Sequence, residues 1–276
     1  MTRRLIAVTS VSGAPGATTT ALALAACWAP SASGVRPTVI EAGPGGGDVG
    51  PRFRVPSAPG LVDVAAMVGR AHPGSLLGAV QDLSVGVRVV IAPAGRGPCT
   101  EAIRLLATEE GVGVLRGTDA DFGTVLMDLG RASPEHGALL SDADEVVIVS
   151  RGGADALARV AARVPEWGAQ ASGWRLVVVG PCPYPAREIS DSLGMARVEF
   201  LPWDARTAAV LGGFRSPPMN GLSGESLFAR PLVREAHRLA RSLTAPGEVV
   251  ADARRGNPVE PLTHVIHNST RPGVDR

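Results

Sequence analysis

Apolar residues fall into short runs along most of the chain, separated by stretches with helical spacing. The runs at residues 5–8, 35–42, 86–92, 122–130, 146–150, 176–180 and 198–201 are rich in Val, Ile and Leu. They are too short for helices and predict strands buried on both faces. Residues 16–28, 60–71, 74–80, 100–107, 154–164 and 186–193 predict helices, the first stopped by Pro30. A last amphipathic helix is predicted within 222–243, with Leu232, Ala236 and Leu239 on one side and Arg234, Glu235, His237 and Arg238 mostly on the others. Strands that are apolar throughout and alternate with helices imply an α/β fold: a doubly wound, mostly parallel sheet with helices on both faces. Such sheets bind ligands beyond the carboxyl ends of their strands. The pattern ends near Pro246. Residues 248–276 are rich in Pro, Arg, Asn and Gly without apolar periodicity, so the sequence predicts one domain over 1–247 and a disordered tail over 248–276.

The first predicted strand runs into Ser10-Val11-Ser12-Gly13-Ala14-Pro15-Gly16-Ala17-Thr18-Thr19. A helix opening near Gly16 aims unpaired backbone N–H groups, and the positive end of its dipole, into that loop. This is a phosphate cradle. Gly13 and Gly16 let the backbone curl close to an anion, and Thr18 sits where a hydroxyl reaches Mg²⁺. The pattern G-x-x-x-x-G-K-[ST] fails at Val11 and Ala17, and G-x-G-x-x-G is absent because Gly13 and Gly16 are three apart. A strand, turn and helix with no ligand is the bland alternative. Two further features fall at the same sheet edge: the glycine-rich loop at 43–50, which reads as flexible, and Asp128, the acid near the end of the 122–130 run.

Composition narrows the chemistry. Hydrophobic residues make up 45% and charged residues 19%, which fits a folded core and excludes general disorder. Aromatics are only 4%, so Ala, Val and Leu must fill that core. A net charge of +1 gives no overall field to attract DNA or anionic lipid. The sequence contains no lysine; all 27 basic residues are arginine. Any cation that compensates for the loop must therefore be an arginine or the metal. Cys27, Cys99 and Cys182 lack C-x-x-C spacing and the five histidines lack ligand spacing, which argues against a disulfide framework or zinc site and fits a reducing cytoplasm. The start is too short in apolar residues for a signal peptide, and the longest apolar run, 21–29, falls far short of the ~20 residues of a membrane span. A soluble cytoplasmic chain is expected.

The loop resembles the deviant phosphate loop of the MinD/ParA ATPases, usually K-G-G-x-G-K-T-T. Gly13, Gly16, Thr18 and Thr19 match, while Ser12 replaces the first lysine, Ala14 the second glycine and Ala17 the second lysine. The resemblance extends through most of 4–245. It implies ATP or ADP with Mg²⁺ as cofactor, held by Gly13, Ala14, Pro15, Gly16, Ala17, Thr18 and Thr19. Val125-Leu126-Met127-Asp128-Leu129-Gly130 looks like the Walker B strand, which implies a metal role for Asp128 beside Thr18; an acid that caps the next turn is the alternative. Val39-Ile40-Glu41-Ala42-Gly43-Pro44-Gly45-Gly46-Gly47-Asp48 looks like the second acidic motif, hydrophobic-D-x-D-P, with Glu41 for the first Asp and Gly43 for the second. In the family this loop helps position the attacking water, which leaves Glu41 and Asp48 as the catalytic candidates. Leu201-Pro202-Trp203-Asp204 resembles the segment beside the adenine and implies base contacts at Pro202 and Asp204, although Gly180-Pro181-Cys182 stands where relatives often place an adenine-reading Asn. Arg52 and Arg54 follow the acidic loop, either as cationic help or as ordinary surface arginines.

The ATPase-like proteins of Tad pilus assembly and related secretion systems, a subset of the family, also lack the loop lysine and read G-G-x-G-[AS]-[ST]-T, close to residues 13–19 here. The resemblance thus implies a divergent ATP-binding protein with slow or absent hydrolysis, acting in chromosome or plasmid partitioning or in positioning a cellular machine. The alternative is a pseudo-ATPase scaffold of a Tad-type system that binds no nucleotide. A homodimer and a protein partner from the partitioning or secretion machine are implied; DNA contact finds no support in the net charge. The tail shows no basic amphipathic face of the kind that anchors MinD proteins to membranes. A third reading, a dinucleotide oxidoreductase with Glu41 on the ribose, rests on the place of Glu41 at the end of the second strand.

Overall fold

Leu5 and Ala7 point to one side of the first strand and Ile6 and Val8 to the other, and all four are fully buried. This strand, β1 (Arg4–Ser10), therefore needs cover on both faces, and the structure supplies it. The computed structural model describes residues 2–13, 15–28, 35–70, 76–118, 123–216 and 230–244. The strands that follow are β2 (Thr38–Glu41), β3 (Gln81–Asp82), β4 (Arg88–Val90), β5 (Thr124–Arg131), β6 (Glu145–Arg151), β7 (Arg175–Val179) and β8 (Arg197–Leu201). They form one 8-stranded sheet in the order β3-β4-β2-β5-β1-β6-β7-β8, parallel except for the β3–β4 pair.

One face of the sheet is covered by α1 (Ala17–Ala26) and α10 (Pro231–Thr244), with Leu22, Leu24, Leu239 and Leu243 packed on Ile6 and Val8. The short α2 (Val49–Phe53) and α9 (Ala205–Leu211) each add a residue, Val49 and Leu211, to that core. The other face carries α3 (Leu61–Ala65), α4 (Arg96–Leu106), α5 (Glu109–Arg116), α6 (Gly137–Asp142), α7 (Ala154–Trp167) and α8 (Ala186–Leu193), whose apolar stripes meet Leu5, Ala7 and Ile40. All seven predicted strands are present within a residue or a few of the expected bounds, and α8 coincides with the prediction. Two predicted helices differ. The 60–71 segment keeps only one helical turn before its hydrogen bonds shorten to i→i−3 at Met67, Val68 and Arg70. Of the 74–80 segment, Leu76–Ala79 forms a 3₁₀ turn; the last helix, α10, falls as expected in the 222–243 region and begins at Pro231, where the missing N–H costs nothing. The tail over 248–276 lies outside the described residues.

Four short helices and β3 went unread in the sequence. α5 carries a start signal, Thr108 followed by Glu109 and Glu110, and the Thr108 hydroxyl accepts from Gly111 N at 3.1 Å. Gly111 and Gly113 mask its helical character.

The glycine-rich loop after β2 is not slack. Glu41, buried at its root, accepts three backbone N–H bonds: Oε1 from Asp48 (2.8 Å) and Val49 (3.0 Å), and Oε2 from Ala92 (3.0 Å). A Cβ at Gly46 would lie 2.3 Å from the Ala94 carbonyl oxygen, and one at Gly47 would lie 2.4 Å from that of Ala92. The loop is thus pressed onto the chain after β4, which corrects the flexible reading of 43–50. His136 pins the same region from below. Its Nδ1 faces Ser133 N at 3.3 Å, so Nε2 carries the proton and donates to the Ala42 carbonyl at 3.1 Å.

Two expected outcomes follow from these buried polar groups. Glu41→Gln sets an amide N–H₂ against backbone donors and should lower stability by roughly 1–3 kcal/mol, read from the urea midpoint; an unchanged midpoint would show that the carboxylate does not hold the loop. Burial lowers the pKa of His136, so its contribution is fully present above the ordinary value of 6.5 and is lost as pH falls through the folded value. Between about pH 7 and 5, wild type should lose more stability than His136→Gln. Parallel curves would sink this assignment.

Candidate functional site

β1 ends at Ser10, and the chain turns through the loop into α1 at Gly16, which adopts φ 105° and no side-chain cap. Only glycine holds that left-handed conformation without strain. With no capping side chain and no acid in the first turn, the opening amides of α1 point into open space. Gly13 is open as well, with nothing within 4 Å of where a Cβ would stand. Ala14 lies outside the described residues.

The sheet register carries the acids to the same place. Glu41 and Asp128 are paired across β2 and β5, and Val8 faces Asp128 across β1 and β5. Asp128 is 3% exposed, and the Thr18 hydroxyl donates to its carboxylate. Its Oδ1 also accepts from Gly130 N at 3.1 Å. Burial, opposed by these bonds and reinforced by the nearby Glu41 and Asp48 charges, pushes its pKa up to about 6. The pair predicted to hold the metal is therefore brought together beneath the loop, in a field of three carboxyl groups. No cluster of three His, Cys, Asp or Glu side chains with metal-ligand geometry occurs among the described residues. That donor set fits Mg²⁺, which keeps waters and takes its remaining ligands from phosphate, better than Zn²⁺ or Ca²⁺.

A cavity of about 350 Å³ opens above the loop. Pro15, Gly16, Ala17, Thr18 and Thr19 form one wall, and Pro202 and Asp204 another, so the predicted phosphate and base residues line one space. Asp204 is occupied as a helix cap: Oδ1 accepts from Thr207 N at 3.0 Å and Oδ2 from the Thr207 hydroxyl at 2.5 Å. Those bonds, against the opposing cost of burial, lower its pKa. Glu41 and Asp48 do not line the cavity. Glu41 spends both oxygens on backbone amides, and burial raises its pKa. Asp48 pairs with Arg52.

Arg52 lines the cavity, with its guanidinium 5.1 Å from the Phe214 ring centroid, while Arg54 does not line it. Two arginines not singled out in the sequence join it: Arg131 at the end of β5, and Arg151 at the end of β6, which lies 4.1 Å over the ring of Trp203 in the 201–204 segment. No motif marks them. Only the strand order places them beside the loop. The cysteines are free, and no helix among the described residues is long and apolar enough to cross a membrane.

No family model and no curated protein matches the chain. Solved structures do. A ParA family ATPase from Chlorobium tepidum TLS is 18% identical with a TM-score of 0.64, over 87% of this chain and 98% of that one. The septum site-determining protein MinD of Pyrococcus horikoshii OT3, complexed with Mg-ADP, is 17% identical with a TM-score of 0.60, over 90% and 100%. Apo McdA of Cyanothece is 14% identical with a TM-score of 0.59, over 87% and 99%. Sheet order, loop position and these matches agree: the chain has the MinD/ParA fold.

Proposed function

We propose that this chain binds ATP or ADP with Mg²⁺ at the 10–19 loop and hydrolyses it slowly or not at all, as a nucleotide-dependent partitioning or positioning protein. The observation that carries this reading is the Thr18 hydroxyl on the buried Asp128 carboxylate, directly below the uncapped amides of α1. The amides and Gly16 would take the phosphates, Thr18 and Asp128 would hold Mg²⁺, and Pro202 with Trp203 would face the base. Bound Mg²⁺ neutralises phosphate charge and orients the polyphosphate. The chain's own residues do the rest: the loop fixes the anion, and the apolar cavity wall at Val179 and Leu201 excludes water.

Slow turnover follows from what the loop lacks. Ala17 is 5% exposed in the first turn of α1 and brings no charge, Ser12 brings none, and Gly43 has no carboxylate. Phosphoryl transfer depends on positioning and charge stabilisation, and one preorganised contact is worth about 10²–10³ in rate. The same bare loop favours a second reading, a scaffold of a Tad-type pilus or secretion system that keeps the fold without nucleotide. A homodimer and a machine protein as partner, in the cytoplasm, belong to either reading.

Calorimetric titration of the full chain with ATP, ADP and NAD, each with and without Mg²⁺, separates them. Mg²⁺-dependent binding of ATP and ADP is expected, weakened by Thr18→Ala; equal affinity with and without metal and hydroxyl would overturn the metal assignment, and no binding at all would favour the scaffold. Negligible ATP hydrolysis is expected, with no rescue by Ala17→Lys alone. Turnover on the order of 1 s⁻¹ or faster, abolished by Asp128→Ala, would refute that.

A further inference from the structure

The loop carries no cation, the metal site below it is acidic, and a polyphosphate has to be held between them. We propose that Arg131 and Arg151 replace the missing loop lysine, gripping the polyphosphate from the two strands that flank β1; this rests on the nucleotide reading above.

Register makes the case. β5 and β6 pair with β1 on its two sides, with Ser10 facing Arg131 across one and Val149 across the other. Arg131 and Arg151 are the last residues of those strands, so both leave the sheet at the edge where β1 opens into the loop. Both line the cavity together with Gly16 and Thr18.

The company each arginine keeps separates these two from the rest. At the opposite, amino edge of the sheet, Arg4, Arg175 and Arg197 gather on Glu145, and Arg175 also pairs with Glu199. Those charges are spent within the fold. Arg52 lines the cavity, but Asp48 offsets its charge. Among the described residues, neither Arg131 nor Arg151 has a carboxylate within ion-pair distance.

Arg151 is also held in place. Its guanidinium stacks on Trp203 at 4.1 Å, and its Nη1 lies 3.6 Å from where a Cβ on Gly180 would stand. Stacking uses the face of the guanidinium and leaves its in-plane N–H donors for an anion. Lysine has no such face. A chain whose only basic side chain is arginine has thus moved its phosphate cations from the loop to the neighbouring strand ends, where a planar group has a ring to rest on.

The test is calorimetry on the full chain with Mg-ATP and with Mg-tripolyphosphate, a probe that has the phosphates and no base. Arg131→Gln and Arg151→Gln should each weaken both ligands by about ten- to a hundredfold, the range of one charge-assisted contact. Arg151→Lys should recover part of the loss, and Arg52→Gln should change affinity by less than about threefold. Arg131 is exposed, so Arg131→Gln carries the test even if Arg151→Gln fails to fold. If wild type binds Mg-ATP and both glutamine variants bind within about threefold of it, the proposal is wrong while the nucleotide reading stands. If wild type binds tripolyphosphate through these arginines but not ATP, the nucleotide reading fails and the anion site stands. Binding of neither probe overturns both.

Discussion

A parallel strand between two parallel neighbours has no local partner for any of its ladder hydrogen bonds. β1 is such a strand: its partners begin at residues 124 and 145, more than a hundred positions away. Everything at the candidate site is referred to it. Its last residue sets where the loop starts, the β5 register sets the depth of Asp128, and the β2 register places Glu41 beside that acid. A shift of β5 along β1 would carry Asp128 away from Thr18. The sheet interior therefore does more than stabilise; it fixes distances between residues that no local element could hold together.

The two edges of the sheet show opposite solutions to buried charge. At the amino edge, three arginines and two glutamates on β1, β6, β7 and β8 pair with one another. At the carboxyl edge, the acids sit in one group under the loop and two arginines remain outside it. A site with separated charges of both signs matches a ligand that carries both, as a metal-bound polyphosphate does.

Much of this was legible in the sequence. Runs rich in Val, Ile and Leu marked all seven predicted strands, because strands covered on both faces admit few polar residues. Gly16, Thr18 and Asp128 were legible through their place at the ends of those runs, and Pro202 and Asp204 through a resemblance. Short helices such as α2 and α9 were not legible, since five to seven residues show too little period to read. Arg131 and Arg151 were invisible for a different reason. They lie 20 residues apart and join the loop only through the order of strands, which a linear pattern does not contain. Glu41 was legible as an acid at a strand end, but its three amide bonds depend on how the loop folds back.

The tight loop after β2 has a consequence on the other side of the folding equilibrium. A run of glycines widens the unfolded ensemble, and in an open loop replacing one with alanine commonly stabilises a protein by about 0.4–1 kcal/mol through that ensemble alone. At Gly46 and Gly47 the contact with the backbone at 92–95 bars that exchange. These two glycines are closely packed in the native loop and still burden the domain with entropy that it loses on folding. The sacrifice is thermodynamic and is made before the site exists. It leaves Gly46 and Gly47 with almost no freedom to drift, while Gly43 and Gly45 of the same stretch stand in open space.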